Sequence, residues 1–119
     1  MKMTEREWQS KIVMLAKSCG WRVAHFRPAR TADGGWRTAV QYDGAGFPDL
    51  VMVHAARGLI YFVELKAENG RLGKPQWDWL QEIELAARDT DSQVRGMVWR
   101  PSDWPKVAEM LAGGKVTTA

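Results

Sequence analysis

Gly46-Phe47-Pro48-Asp49-Leu50-Val51-Met52-Val53-His54-Ala55-Ala56-Arg57-Gly58-Leu59-Ile60-Tyr61-Phe62-Val63-Glu64-Leu65-Lys66 is the stretch on which the architecture turns. Leu50 to Val53 and Leu59 to Val63 are apolar, β-branched runs that read as buried strands. The connection between them, Ala55-Ala56-Arg57-Gly58, is short and ends in glycine, which predicts an antiparallel hairpin. With His54 paired to Leu59, the same register sets Asp49 directly opposite Glu64. A three-residue loop would shift the pairing by one position and send the two carboxylates to opposite faces of the sheet.

Directly opposed residues on an antiparallel pair share a face, with Cβ atoms roughly 4.5–5.5 Å apart, and like charges so placed repel. A bound cation offsets that repulsion. Strand alternation puts Lys66 on the face of Glu64 and Leu65 on the other. Magnesium prefers oxygen ligands, binds through one or two carboxylates and keeps several waters. Asp49 and Glu64 are therefore candidate ligands, with the Leu65 backbone carbonyl as a third oxygen. A divalent cation in this position promotes ionisation of water near neutral pH and stabilises charge on phosphate oxygens. Lys66 would either orient the water or neutralise the phosphate.

A chain of 119 residues supports one core, so a single domain over residues 1–119 is expected. No run approaches the roughly 18 apolar residues of a membrane span. Met1 to Glu7 is too polar for a signal peptide, and the reading is a cytoplasmic protein with no membrane partner. The one cysteine, Cys19, rules out an internal disulfide, and with His25 and His54 as the two histidines a structural zinc site lacks ligands. The net charge of +3 and the pI near 9.2 are mild. Their distribution says more: between residues 20 and 40, Arg22, Arg27, Arg30 and Arg37 face one acid, Asp33. From Asp78 to Asp91 five acids meet only Arg88. The first region suits phosphates and the second suits water or a basic partner.

Thr4-Glu5-Arg6-Glu7 is a capping box, and Trp8, Ile12, Leu15, Ala16 and Cys19 follow at helical spacing up to Gly20. Trp21 to Phe26 reads as a strand closed by Pro28. Residues 27 to 46 have no period, and a loop of that length in a small domain is often functional. Trp36 and Tyr42 there read as closing the loop onto the core, with stacking on bases beside Arg37 as the alternative. After the turn at Asn69 to Gly73, Pro75 suits a helix start, and Gln76, Leu80, Ile83 and Ala87 share a stripe that predicts a helix to about Arg88. Val94 to Trp99 reads as a strand, and Ser102 or Asp103 is positioned to cap a last helix ending at Gly113. The residues after Gly114 read as frayed. The order α-β-β-β-α-β-α predicts an α/β chain with a mixed sheet and helices packed on it.

Gly46-Phe47-Pro48-Asp49, Glu64-Leu65-Lys66 and Gln76 in the following helix resemble the PD-(D/E)XK nuclease superfamily. The fuller series adds Thr4-Glu5 to Gln9, His25, Arg30, Gly70-Arg71-Leu72, Trp79-Leu80 and Trp99 to Trp104. That series resembles the VRR-NUC domain family, above all the small standalone members of phages and prophages, over roughly residues 4–111. The resemblance implies a restriction-endonuclease-like core and a Mg2+- or Mn2+-dependent deoxyribonuclease, related to junction resolvases and often a homodimer. By position it makes Asp49 and Glu64 metal ligands, Lys66 catalytic and Gln76 a support for the site. Glu5 and Gln9, four apart on one helix face, both stay open as the first-helix contributor. His25, Arg27, Arg30, Arg37, Arg71 and Lys74 are the candidate nucleic-acid contacts, although His25 and Gln76 taken singly also read as a satisfied sheet histidine and an exposed first-turn residue. The expected substrate is DNA, with branched or flapped forms as candidates. The competing readings are a non-catalytic nucleic-acid-binding or assembly module and a nuclease directed at RNA.

Overall fold

The computed structural model describes residues 2–26 and 42–114, together with the backbone at 29–30 and 36–37. Helix α1 covers Glu5–Ser18. Its start is the expected box: Thr4 Oγ1 accepts from the Glu7 amide at 3.1 Å, and Glu7 Oε1 accepts from the Thr4 amide at 3.0 Å. These two bonds satisfy donors that the first turn would otherwise leave open. The buried face is Trp8, Ile12 and Ala16, each four residues from the next, while Leu15 and Cys19 pack at its margin.

Strands β1 (Arg22–His25), β4 (Leu50–His54), β5 (Leu59–Leu65) and β6 (Val94–Trp99) form one sheet in the order β1-β4-β5-β6. The first two pairings are antiparallel and β5 with β6 is parallel. The hairpin has the expected register: His54 pairs with Leu59 and Leu50 with Val63. A short 3-10 turn at Ala55–Arg57 and Gly58 in the left-handed region close it in an even number of residues.

Strand alternation divides the sheet into two environments. Leu50, Met52, Tyr61, Val63, Leu65 and Trp99 pack with α1 and with Val107 and Leu111 of helix α3 (Trp104–Ala112). Each such side chain contributes about 1.5–3 kcal/mol by leaving water, so this face carries the core. Helix α2 (Lys74–Ala86) crosses from β5 to β6 over the opposite face. There Phe47 meets Phe26, Phe62 and Trp79 edge-on.

Gly46 is what lets α2 begin so close to the hairpin. It has φ +81°, and a Cβ on it would lie 2.5 Å from the Pro75 carbonyl carbon and 2.7 Å from the Gln76 nitrogen. Both the dihedral and the clearance demand glycine.

Three details differ from the sequence reading. The stretch expected to be without secondary structure contains a small antiparallel ribbon, β2 (Ala29–Arg30) with β3 (Trp36–Arg37). Two-residue strands are too short to show a period. Helix α2 ends at Ala86 rather than Arg88. Asp103 precedes α3 without capping it, because its Oδ2 accepts from the Arg100 amide at 2.8 Å. The expectation of fraying after Gly114 lies outside the described residues. Among the described residues no helix is long and apolar enough to cross a membrane.

Candidate active site

Asp49 and Glu64 occupy the next register positions beyond the last hairpin pair, Leu50 with Val63. Asp49 is held at both ends: its carbonyl accepts from the Phe26 amide at 2.9 Å, and its Oδ2 accepts from the Leu65 amide at 3.0 Å. Leu65 thus enters the site through its N–H, while its side chain belongs to the core. Glu64 is 2% exposed, the one buried charged residue among those described.

Burial above all, then the Asp49 charge and a proton-sharing contact with Asp49, push the Glu64 carboxyl up to about 8. The Lys66 ammonium works against these, and Glu5 adds a smaller repulsion. Two ionised carboxylates cannot hydrogen-bond to each other; they can meet only when one holds a proton. With both charged, Glu64 Oε1 is a buried acceptor with no donor among the described residues. A proton or a cation satisfies it. An unpaired buried charge is far more costly than a paired one, so an ionised Glu64 calls for a donor or a counter-charge at Oε1.

The second Glu64 oxygen is already engaged. Oε2 accepts from Gln76 Nε2 at 2.9 Å and lies 3.7 Å from Lys66 Nζ. Gln76 is oriented by its other end, where Oε1 accepts from the Gly73 amide at 2.8 Å at the start of α2. One amide therefore terminates a helix and braces a buried acid, and its carbonyl and amino ends cannot exchange without losing both bonds.

From α1, Glu5 reaches Glu64 through its field. Gln9 turns instead to His25, with Nε2 3.3 Å from His25 Nδ1. The helix is anchored by Trp8, whose Nε1 donates to the Trp99 carbonyl at 2.9 Å. That carbonyl also accepts from the Lys66 amide at 3.2 Å. The bond between Trp8 and the Trp99 carbonyl does not emerge from the sequence, where Trp8 reads as part of an apolar helix face and Trp99 as a strand end within the family series. Among the described residues no three His, Cys, Asp or Glu side chains gather closely enough to hold a metal ion. Any cation here rests on the two carboxylates, backbone and water, a donor set that suits magnesium or manganese better than zinc.

The candidate nucleic-acid contacts are less concentrated. Arg71 is exposed in the turn before α2. Lys74 pairs with Asp78 at 2.8 Å, on a cleft also lined by Asp43 and Glu82, whose acidic balance disfavours phosphate. Arg27 and the side chains of Arg30, Arg37 and Trp36 lie outside the described residues. Tyr42 stands almost fully in solvent.

The sequence profile of the VRR-NUC domain matches residues 7–98. The chain has no match among curated proteins and none among solved structures. The matched span contains Asp49, Glu64, Lys66 and Gln76, and the four-stranded mixed sheet with three α-helices among the described residues is compatible with a restriction-endonuclease-like fold. Since the match spans most of the chain, this protein belongs to the VRR-NUC domain family, a nuclease-like family whose substrate class is DNA.

Proposed function

We propose that the protein is a metal-dependent nuclease that hydrolyses phosphodiester bonds in DNA. The observation that carries this reading is Glu64 Oε1, which has no hydrogen-bond partner among the described residues and lies buried beside Asp49 on the face that also presents Lys66. Asp49 and Glu64, with the Leu65 carbonyl, would hold Mg2+ or Mn2+, which supplies Lewis-acid stabilisation of phosphate charge and readier ionisation of water.

The chain's own groups do the remaining work. Gln76 fixes Glu64 Oε2 and leaves Oε1 as the open acceptor. The Leu65 amide fixes Asp49 Oδ2. Lys66, 15% exposed at its side chain, keeps an ammonium near the carboxylates, where it can orient a water or oppose charge building on the phosphate. Glu5 adds negative field from the first turn of α1, within reach of waters around the site. Branched or flapped DNA and a homodimer, drawn from the family resemblance, and a single domain over residues 1–119, drawn from the chain length, complete the proposal.

The test is incubation of purified protein with supercoiled, single-stranded and junction DNA in Mg2+, Mn2+ or EDTA. Cleavage that needs the metal and disappears in Asp49→Ala is the expected result. Binding without cleavage identifies a nucleic-acid-binding module instead, and cleavage confined to a parallel RNA substrate moves the activity to RNA.

A further inference from the structure

Lys66 follows the last residue of β5, at a point where the chain leaves the sheet and reverses through Ala67 to Gly70. A lysine has four rotatable side-chain bonds and loses roughly 2 kcal/mol of rotamer entropy when held in one place. Something must confine it. Gly70 stands beside it: a Cβ built on Gly70 would lie 3.4 Å from Lys66 Cδ and 3.3 Å from the Ala67 carbonyl oxygen. The Lys66 stem thus runs along the turn that follows it.

That turn is held from the far end of β6. Arg100 Nη1 donates to the Gly70 carbonyl at 2.6 Å and to the Ala67 carbonyl at 3.1 Å. Glu68 between them accepts from the Ser102 amide at 2.8 Å and from Ser102 Oγ at 2.7 Å. Bonds from a guanidinium are charge-assisted and stronger than neutral ones. Arg100 is itself aimed by the turn at its own amide, which donates to Asp103 Oδ2. The family match ends at residue 98, before Arg100, Ser102 and Asp103.

We infer that Arg100 is a positioning residue for the nuclease site, acting through the 67–70 turn to keep the Lys66 ammonium beside Glu64. The inference rests on the proposed nuclease reading for its kinetic consequence but not for its structural one. Arg100→Ala should lower kcat roughly tenfold to a hundredfold, as small misplacements of a reacting group do, while KM for DNA stays nearly unchanged. In a Lys66→Ala background the same substitution should cost nothing further. Gly70→Ala, whose Cβ would come 3.3 Å from the Ala67 carbonyl oxygen that Arg100 holds, should lower kcat in the same direction.

An independent readout is the NMR signal of the Lys66 ε-methylene in lysine-labelled protein, assigned with Lys66→Arg. Its two protons should be inequivalent in the wild type and merge in Arg100→Ala. A raised KM with unchanged kcat makes Arg100 a phosphate contact and overturns the inference. So does an undiminished loss in the Lys66→Ala background, or an ε-methylene signal that Arg100→Ala leaves unaltered. If the wild type cleaves no DNA, the nuclease reading fails, and the NMR comparison still decides whether Arg100 holds Lys66.

Discussion

Gln76 Nε2 donates to Glu64 Oε2 across 2.9 Å, joining the first turn of α2 to the buried end of β5. The bond reaches a carboxylate that is otherwise poorly solvated, and a hydrogen bond to a charged group is worth about 1.5–3 kcal/mol. Gln76→Ala should therefore weaken Mg2+ binding by roughly ten- to a hundredfold in calorimetric titration, with a parallel fall in cleavage rate. Gln76→Glu should also lose the bond to Glu64 Oε2, because an ionised carboxylate has no proton to donate. Equal metal affinity in all three proteins would remove Gln76 from the site.

Glu64 has a pKa of about 8 in the folded protein against an ordinary 4.5. Between those values the folded state retains a proton that the unfolded chain has released. The metal-free protein is thus most favoured below about pH 4.5 as far as Glu64 is concerned, and loses that contribution as pH rises toward 8. Thermal unfolding in EDTA should give a lower Tm at about pH 8 than at about pH 5 through this group, and Glu64→Gln should flatten the difference. Mg2+ affinity should rise over the same interval, since a cation takes the place of the proton. A pH slope of stability identical in Glu64→Gln would assign it to other groups.

Gly46→Ala combines two penalties. An alanine at φ +81° is strained by about 1–2 kcal/mol, and its Cβ would overlap the backbone at Pro75 and Gln76. Backbone cannot step aside as a flexible side chain can, so α2 must lift at its N-terminus. Stability should fall by roughly 2 kcal/mol or more, and Gln76 should lose its grip on Glu64. Denaturant titration together with the cleavage rate checks this; a stable, fully active variant would mean that α2 starts elsewhere.

Arg27 and Arg30 belong to the basic stretch of the sequence. The Arg27→Ala and Arg30→Ala double variant should bind DNA more weakly and show a shallower dependence of affinity on salt. Every duplex phosphate that the protein ceases to neutralise reduces the logarithmic slope by about 0.9. An unchanged slope would move the DNA path toward Arg71.

Much of the site is legible along the chain because strand geometry is a strict ruler. An even connection ending in Gly58 sets the register, and register alone puts Asp49 opposite Glu64. Thr4 and Glu7 are equally legible, since a capping box is a local bond between residues three apart. Asp103 resembles a helix cap for the same reason that Thr4 does, yet short polar side chains offer several local bonds, and here the Arg100 amide wins.

The order of residues suffices for the succession of elements, the hairpin register and the identity of the two acids and the lysine. These follow from periodicities of two and 3.6 residues and from turn chemistry, which act over a few positions. Packing in three dimensions adds what no local rule contains: Glu64 is buried enough to hold a proton near neutral pH, Gly46 clears the start of α2, and the Trp99 carbonyl receives both Trp8 and Lys66. Desolvation depends on what surrounds a group once the chain has folded. Backbone carbonyls are common to every residue, so no residue type announces which of them a distant side chain will reach.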